Sequence, residues 1–252
     1  MMNFNGRTLP SWARVIDIKR PLLPPSGVVS SSIIGRSGTF LFSKRLEAKK
    51  VRVFLRINAS NKAIFRQRVR ELAHLLHTED EARLVFTDEP DKYVNALIID
   101  DSDIDETPVF GDVEVKFYCP NPFWYAINDN IFTFTSTGTH NLPRAGTAPS
   151  NPLITVRGTS TAANGRITFN ANSGQQVMAY QGVLASNQTL VIDSELMTAF
   201  IENTNGSRTA VLNRLTTLNF IVLRSGANTL NISLQNDFTL QNVRVEARSR
   251  WL

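Results

Sequence analysis

Between Lys49 and Asn58 the residue character alternates. Val51, Val53, Leu55 and Ile57 take one side, and Arg52, Phe54, Arg56 and Asn58 the other. That is the period of a strand with one covered face. Immediately after it the period changes. Phe65, Val69, Leu72 and Leu76 fall three or four residues apart, which predicts a helix over about 61–77, with Ser60 or Asn61 placed to cap its first amides. Alternation returns at Val113, Val115 and Phe117, where Asp112, Glu114 and Lys116 take the other face. Pro120 and Pro122 stop that strand, since neither can donate a ladder hydrogen bond.

Shorter strands are predicted around these landmarks. Trp12–Ile18, Arg83–Thr87 and Tyr93–Ile99 belong to the first half, with a polar turn at Asp88–Lys92. Pro21, Pro24, Pro25 and Gly27 mark a stiff connector, and Gly35–Gly38 a loop between Ile33-Ile34 and Phe40-Leu41-Phe42. From Ile131 onward many short apolar runs alternate with glycine-bearing turns. They include Pro152–Arg157, Arg166–Asn170, Gln176–Ala179, Thr189–Ile192, Leu196–Ile201, Thr217–Leu223, Gly226–Ser233 and Val243–Ala247, and Asn205-Gly206 reads as a hairpin turn. This predicts a mainly β chain in two domains. Residues 1–125 form a β-rich domain with one substantial helix, and residues 126–252 a β-sandwich. The joint is Pro120, Pro122, Phe123, Trp124 and Tyr125, where stiff backbone and three aromatics suggest packing between domains and limited freedom.

Composition supports a chain with a full core: 252 residues, 42% hydrophobic and 19% charged. No apolar run approaches the ~18 residues of a membrane span. One cysteine excludes an internal disulfide, and with no apolar leader the sequence suggests synthesis in the cytoplasm. Charge is unevenly placed. Residues 1–60 hold 11 Lys/Arg against 2 Asp/Glu, residues 61–125 hold 7 against 14, and no lysine follows Lys116. A basic face built from Arg36, Lys44, Arg45, Lys49 and Lys50 is therefore the candidate assembly surface for an acidic neighbour. The charge carries no zinc spacing, RNA-binding motif or recognition helix, so it does not indicate base reading.

Candidate chemistry is sparse. The glycines of Gly35–Gly38 lack the spacing and the Lys-Ser/Thr of a phosphate loop. His74 and His77 stand three apart on the helix without a third ligand, and Asp100–Glu106 is acidic but lacks the central glycine of a calcium loop. Cys119 has no histidine near it. Asp193 and Glu195 could be imagined as a carboxylate pair, yet nothing marks a sugar-cleaving cleft around them. No catalytic group, metal or cofactor is predicted. The alternative to a structural role is a carbohydrate- or receptor-binding sandwich, with Trp124, Tyr125, Phe132, Tyr180 and Trp251 as flat contacts.

The order of several short motifs adds a resemblance. Phe4-Asn5-Gly6, the loop at Gly35–Gly38, the basic strand before the helix and Tyr118-Cys119-Pro120-Asn121-Pro122-Phe123-Trp124 come first. Thr189–Glu195, Asn205-Gly206, Gly226–Leu230 and Trp251 follow. Taken together they resemble the distal tail protein family of long non-contractile-tailed bacteriophages, over nearly the whole chain. The resemblance implies a non-enzymatic baseplate hub in the virion. Its N-terminal domains would form a ring, commonly hexameric and single or stacked, and galectin-like sandwiches would project outward. It implies as partners the tail tube protein and a tail-associated baseplate or fibre protein, with DNA passing through the lumen unread and no membrane insertion.

Overall fold

Strand pairing follows the alternation closely in the first half of the chain. The computed structural model divides the chain into two units, Met1–Ile127 with Leu252, and Asn128–Trp251, and describes residues 1–99, 104–107 and 109–252. The fold is mostly β, with one α-helix among the described residues.

The first unit contains β1 (Met2–Phe4), β2 (Arg7–Thr8), β3 (Ala13–Lys19), β4 (Ser26–Ser32), β5 (Thr39–Leu46), β6 (Lys49–Asn58), α1 (Lys62–Leu76), β7 (Ala82–Phe86), β8 (Glu89–Ile98), β9 (Ile104–Glu106), β10 (Phe110–Cys119) and β11 (Trp124–Ala126). Its main sheet runs β2-β1-β7-β8-β10-β6-β3, and β9 extends β10. β6 and β10 pair in unbroken antiparallel register from Asn58↔Phe110 to Lys49↔Cys119. Val51, Val53, Leu55 and Ile57 are fully buried, as the alternation predicts. Phe4 of β1 meets Phe117 of β10 edge-on, with centroids 5.1 Å apart.

Helix α1 starts where capping chemistry predicts. Asn61 Oδ1 accepts the Ile64 N–H at 2.9 Å, and the His77 N–H closes the far end on the Ala73 carbonyl. Phe65, Leu72 and Leu76 are its buried residues. Gly111 lets the helix approach β10: a Cβ there would stand 2.6 Å from Phe65 Cζ and 3.0 Å from Ile104 Cγ2. β8 begins at Glu89, inside the segment expected to be a turn. The reversal tightens onto Thr87-Asp88 with Phe86 opposite Glu89, and Pro90 falls at the strand's start, where its missing N–H does little harm.

The second unit stacks two sheets around a shared core. Its strands are β12 (Ile131–Phe134), β13 (Gly138–Asn141), β14 (Leu153–Thr159), β15 (Arg166–Ala171), β16 (Gln176–Gln181), β17 (Thr189–Asp193), β18 (Thr198–Glu202), β19 (Arg208–Ala210), β20 (Thr229–Gln235) and β21 (Thr239–Glu246). The order β12-β21-β14-β17-β18-β19 makes one sheet and β13-β20-β15-β16 the other. Ile154, Val156, Ile167, Phe169, Ile192, Ile232 and Val245 meet between them in a continuous apolar cluster, giving a sandwich-like arrangement. Asn205-Gly206 turns β18 into β19, with the Gly206 N–H on the Asn203 carbonyl and Gly206 at φ +79°. The segment 217–223, expected as a strand, forms only a single bridge at Leu223. Thr217 Oγ1 donates to the Val177 carbonyl and Gln176 Oε1 accepts the Val222 N–H. Side chains thus do the work of a ladder while Ile221 and Leu223 plug the core.

Candidate assembly surface

β4 and β5 pair only with each other, as a two-stranded ribbon separate from the main sheet. Their register runs from Ser26↔Leu46 to Ser32↔Thr39, with a bulge between Val29 and Ser30. The ribbon contributes little to the unit's core. Val28, Val29, Ile33, Ile34, Phe40, Leu41 and Phe42 are all exposed, and Ile34 at the tip reaches 104%. Arg36, Lys44 and Arg45 are exposed on the same ribbon, and the Arg36 guanidinium lies 4.2 Å from the centre of the Phe40 ring. No Asp or Glu occurs between Ser26 and Leu46. Three of the five expected assembly residues are therefore brought together on one projecting element. Lys50, also exposed, stands at the start of β6.

Lys49 is elsewhere. It is 2% exposed, and its Nζ sits 4.5 Å from the centre of the Trp124 ring. Burial pushes its pKa down to about 8, against a smaller raising effect of Cys119. The expectation that Lys49 serves as a surface contact gives way to an interior position. The signal was present in the sequence, because Lys49 has the same parity as the buried Val51, Val53, Leu55 and Ile57. Arg20 joins this cluster, with its guanidinium 4.3 Å from the Phe86 ring centre and 5.7 Å from that of Trp124. Arg20 also pairs with Asp88 at 2.8 Å and Glu89 at 3.3 Å. Cys119 is buried opposite Lys49 in the β6–β10 register, with its thiol pushed up to about 12 by desolvation, so it is packing and not a nucleophile.

The expected joint residues are placed within the first unit as follows. Pro122 and Trp124 are buried, and Trp124 meets Phe86 edge-on at 6.1 Å. Tyr125 stacks on Tyr93 at 5.8 Å and its hydroxyl accepts from Asn121 Nδ2. Phe123 and Pro120 are half-buried, and the Phe123 N–H donates to Asn121 Oδ1.

In the second unit the imagined carboxylate pair is tied up in salt bridges. Asp193 accepts two bonds from Arg248, at 2.7 and 2.8 Å, and two backbone N–H bonds from Glu195 and Leu196. These hold its carboxyl below the ordinary range even though burial opposes them. Glu195 takes Arg250 at 3.2 Å and Asn151 at 3.0 Å. Both carboxylates are committed to arginines, which leaves neither free to move a proton. Tyr180 is fully buried and donates its hydroxyl to the Val183 carbonyl, while Phe132 stacks on Phe134. Tyr180 is therefore sealed in the sandwich core and offers no surface ring to a sugar. No group of metal-ligating side chains occurs among the described residues. Asp100, Asp101 and Asp103 of the acidic stretch lie outside them.

Two family models match in chain order. A phage tail protein RIFT-related domain covers residues 9–119, and a siphovirus-type tail component C-terminal domain covers 145–251. The chain belongs to the siphophage distal tail protein family. A distal tail protein of Bacillus phage SPP1 is 23% identical over 154 residues, which span 61% of this chain and 60% of that relative. The crystal structure of the SPP1 Dit protein, described as a hub adsorption apparatus, superposes with a TM-score of 0.79 at 17% identity. That match covers 100% of this chain and 98% of the other. A chain of the phage p2 baseplate in its activated conformation with strontium gives 0.50 at 7% identity, over 96% and 92%. As a member of the distal tail protein family the chain is a structural component of the virion's tail tip.

Proposed function

We propose that this distal tail protein is a hub. Copies of it close into a ring, hexameric as in the family it resembles, at the end of the tail tube. The ring joins the tube protein to a baseplate or fibre protein and leaves a channel through which DNA passes without being read. The first unit, residues 1–125 in the sequence-based division, is the ring-forming part, and the second is a galectin-like sandwich.

The observation that carries the reading is the β4–β5 ribbon. An isolated two-stranded hairpin is marginal in water, and a contiguous exposed apolar patch marks an interaction surface. This ribbon is both, and it carries Arg36, Lys44 and Arg45 as well. A ring needs two unlike patches on each subunit, and the acidic bias of residues 61–125 offers a counterpart to a basic arm. Reversing charge at Arg36, Lys44, Arg45 and Lys50 together is expected to weaken association while leaving the circular dichroism and melting of the chain unchanged. Native mass spectrometry reads the ring. A quadruple variant with the same ring population at every concentration would sink the basic-arm reading.

A further inference from the structure

The ribbon needs a receptor, and the same unit presents one. Between α1 and the β9–β10 part of the sheet lies an apolar cleft of about 400 Å³, lined among others by Val69, Leu76, Thr78, Ile98, Ile104 and Val113. A cavity of about 150 Å³ already holds a benzene-sized group, so this one has room for more than one aliphatic side chain. We infer that the tip of the ribbon of one copy, at Ile33-Ile34, seats in this cleft on the next copy. The inference rests on the ring reading and names the contact that closes it.

Three observations select this occupant. Reach is the first. Seven residues of β4 extend about 23 Å at the usual rise, which carries the tip well away from its own root. Charge is the second. The ribbon holds only cations, while exposed Glu79 and Asp80 directly follow Thr78, so the cleft has an acidic end there. The third is a polar detail. Thr78 Oγ1 is buried with no hydrogen-bond partner among the described residues. A purely apolar guest would leave it unsatisfied, but the turn Gly35–Gly38 brings unladdered backbone amides and carbonyls beside the two isoleucines. Each copy then uses its tip on one neighbour and its cleft on the other, which is a head-to-tail contact that propagates around a ring.

The test pairs cysteines across the expected contact. In a full-length chain carrying both Ile34→Cys and Val69→Cys, mild oxidation is expected to give a ladder of covalently linked chains on a denaturing gel, rising to the ring size read by native mass spectrometry. Either single variant gives no ladder. Cys119, buried and held as a thiol, stays silent. A second variant, Ile33→Asp with Ile34→Asp, is expected to weaken association at least tenfold with unchanged melting. Rings that form without any ladder, or that persist unweakened in the Asp variant, would overturn the cleft assignment and leave the ring reading standing. A cross-link confined within one chain would overturn it too. Absence of rings from the unmodified protein at all concentrations would overturn both.

Discussion

The β4–β5 ribbon and the sandwich core use similar residues in opposite ways. From Leu22 to Phe42 nine large apolar side chains stand exposed in close succession. In the second unit comparable residues interleave into a sealed cluster, and those left outside, such as Ile131, Val183 and Leu218, are scattered singly apart from the turn at Leu196-Met197. The difference teaches that the sandwich satisfies its hydrophobic surface from within its own chain, whereas the first unit leaves a share for something else. The two regions should therefore respond oppositely to mutation: the sandwich in folding, the ribbon in association.

That contrast can be pressed at several points, beginning with the largest effect. Phe169→Ala empties a fully buried position and is expected to cost about 3–5 kcal/mol of unfolding free energy in a denaturant titration. A change under about 1 kcal/mol would mean that the sandwich core is less closed than it looks. Arg248→Met should cost roughly 2 kcal/mol at neutral pH, because it strands the Asp193 carboxylate in a mostly buried site. Asp193 has a depressed pKa in the folded chain. Its contribution is complete above the ordinary carboxylate value of 3.8 and is lost as pH falls through the lower folded value. The variant should therefore lose part of the wild-type acid dependence below that pH, as measured by melting temperature against pH.

Lys49→Met is expected to act in the other direction, stabilising by about 2 kcal/mol at pH 7, since it removes a cation held at a dry site. In the native protein the folded state prefers neutral Lys49. Below about pH 8 the penalty is fully present, and stability recovers as pH rises from about 8 towards 10.5. A native protein whose stability from this site falls across that window would contradict the assignment. Asn61→Ala should cost about 1 kcal/mol through loss of the Ile64 cap, read by thermal melting. Smallest of all, Leu41→Ser on the ribbon should move monomer stability by less than about 0.5 kcal/mol while visibly weakening assembly. A large loss of monomer stability would return the ribbon to the core.

How much could be read from sequence depended on whether a residue's neighbours were local. β6, β10 and α1 were legible because alternation and helical spacing each report a single covered face, and because Asn61 lies where a cap is useful. The Asn205-Gly206 turn was legible for its left-handed backbone. Residues 217–223 were not: they are apolar enough for a strand, but hydrogen bonds from Thr217 and to Gln176 replace the ladder, and periodicity cannot see a side-chain partner. β13 and β19 escaped because Gly138–Asn141 and Arg208–Ala210 are polar edge strands with no buried stripe. At the candidate surface, charge pointed to Arg36, Lys44 and Arg45 but also to Lys49, since counting cations ignores parity. The exposure of Phe40-Leu41-Phe42 left no trace in composition, where an uncovered apolar run and a buried one look alike.

The ribbon's cations have a consequence before any ring exists. A freshly made chain would display two open strand edges and a run of apolar side chains, the arrangement from which misdirected stacking and aggregation begin. Lys44 lies opposite Val28 and Arg45 opposite Gly27, with Arg36 at the turn, so charge punctuates the ribbon at its root and at its tip. Two such ribbons laid edge to edge would bring like charges together, whereas an acidic host would not. On the ring reading, the same three residues would act as gatekeepers in time, holding free copies apart during the interval between synthesis and assembly.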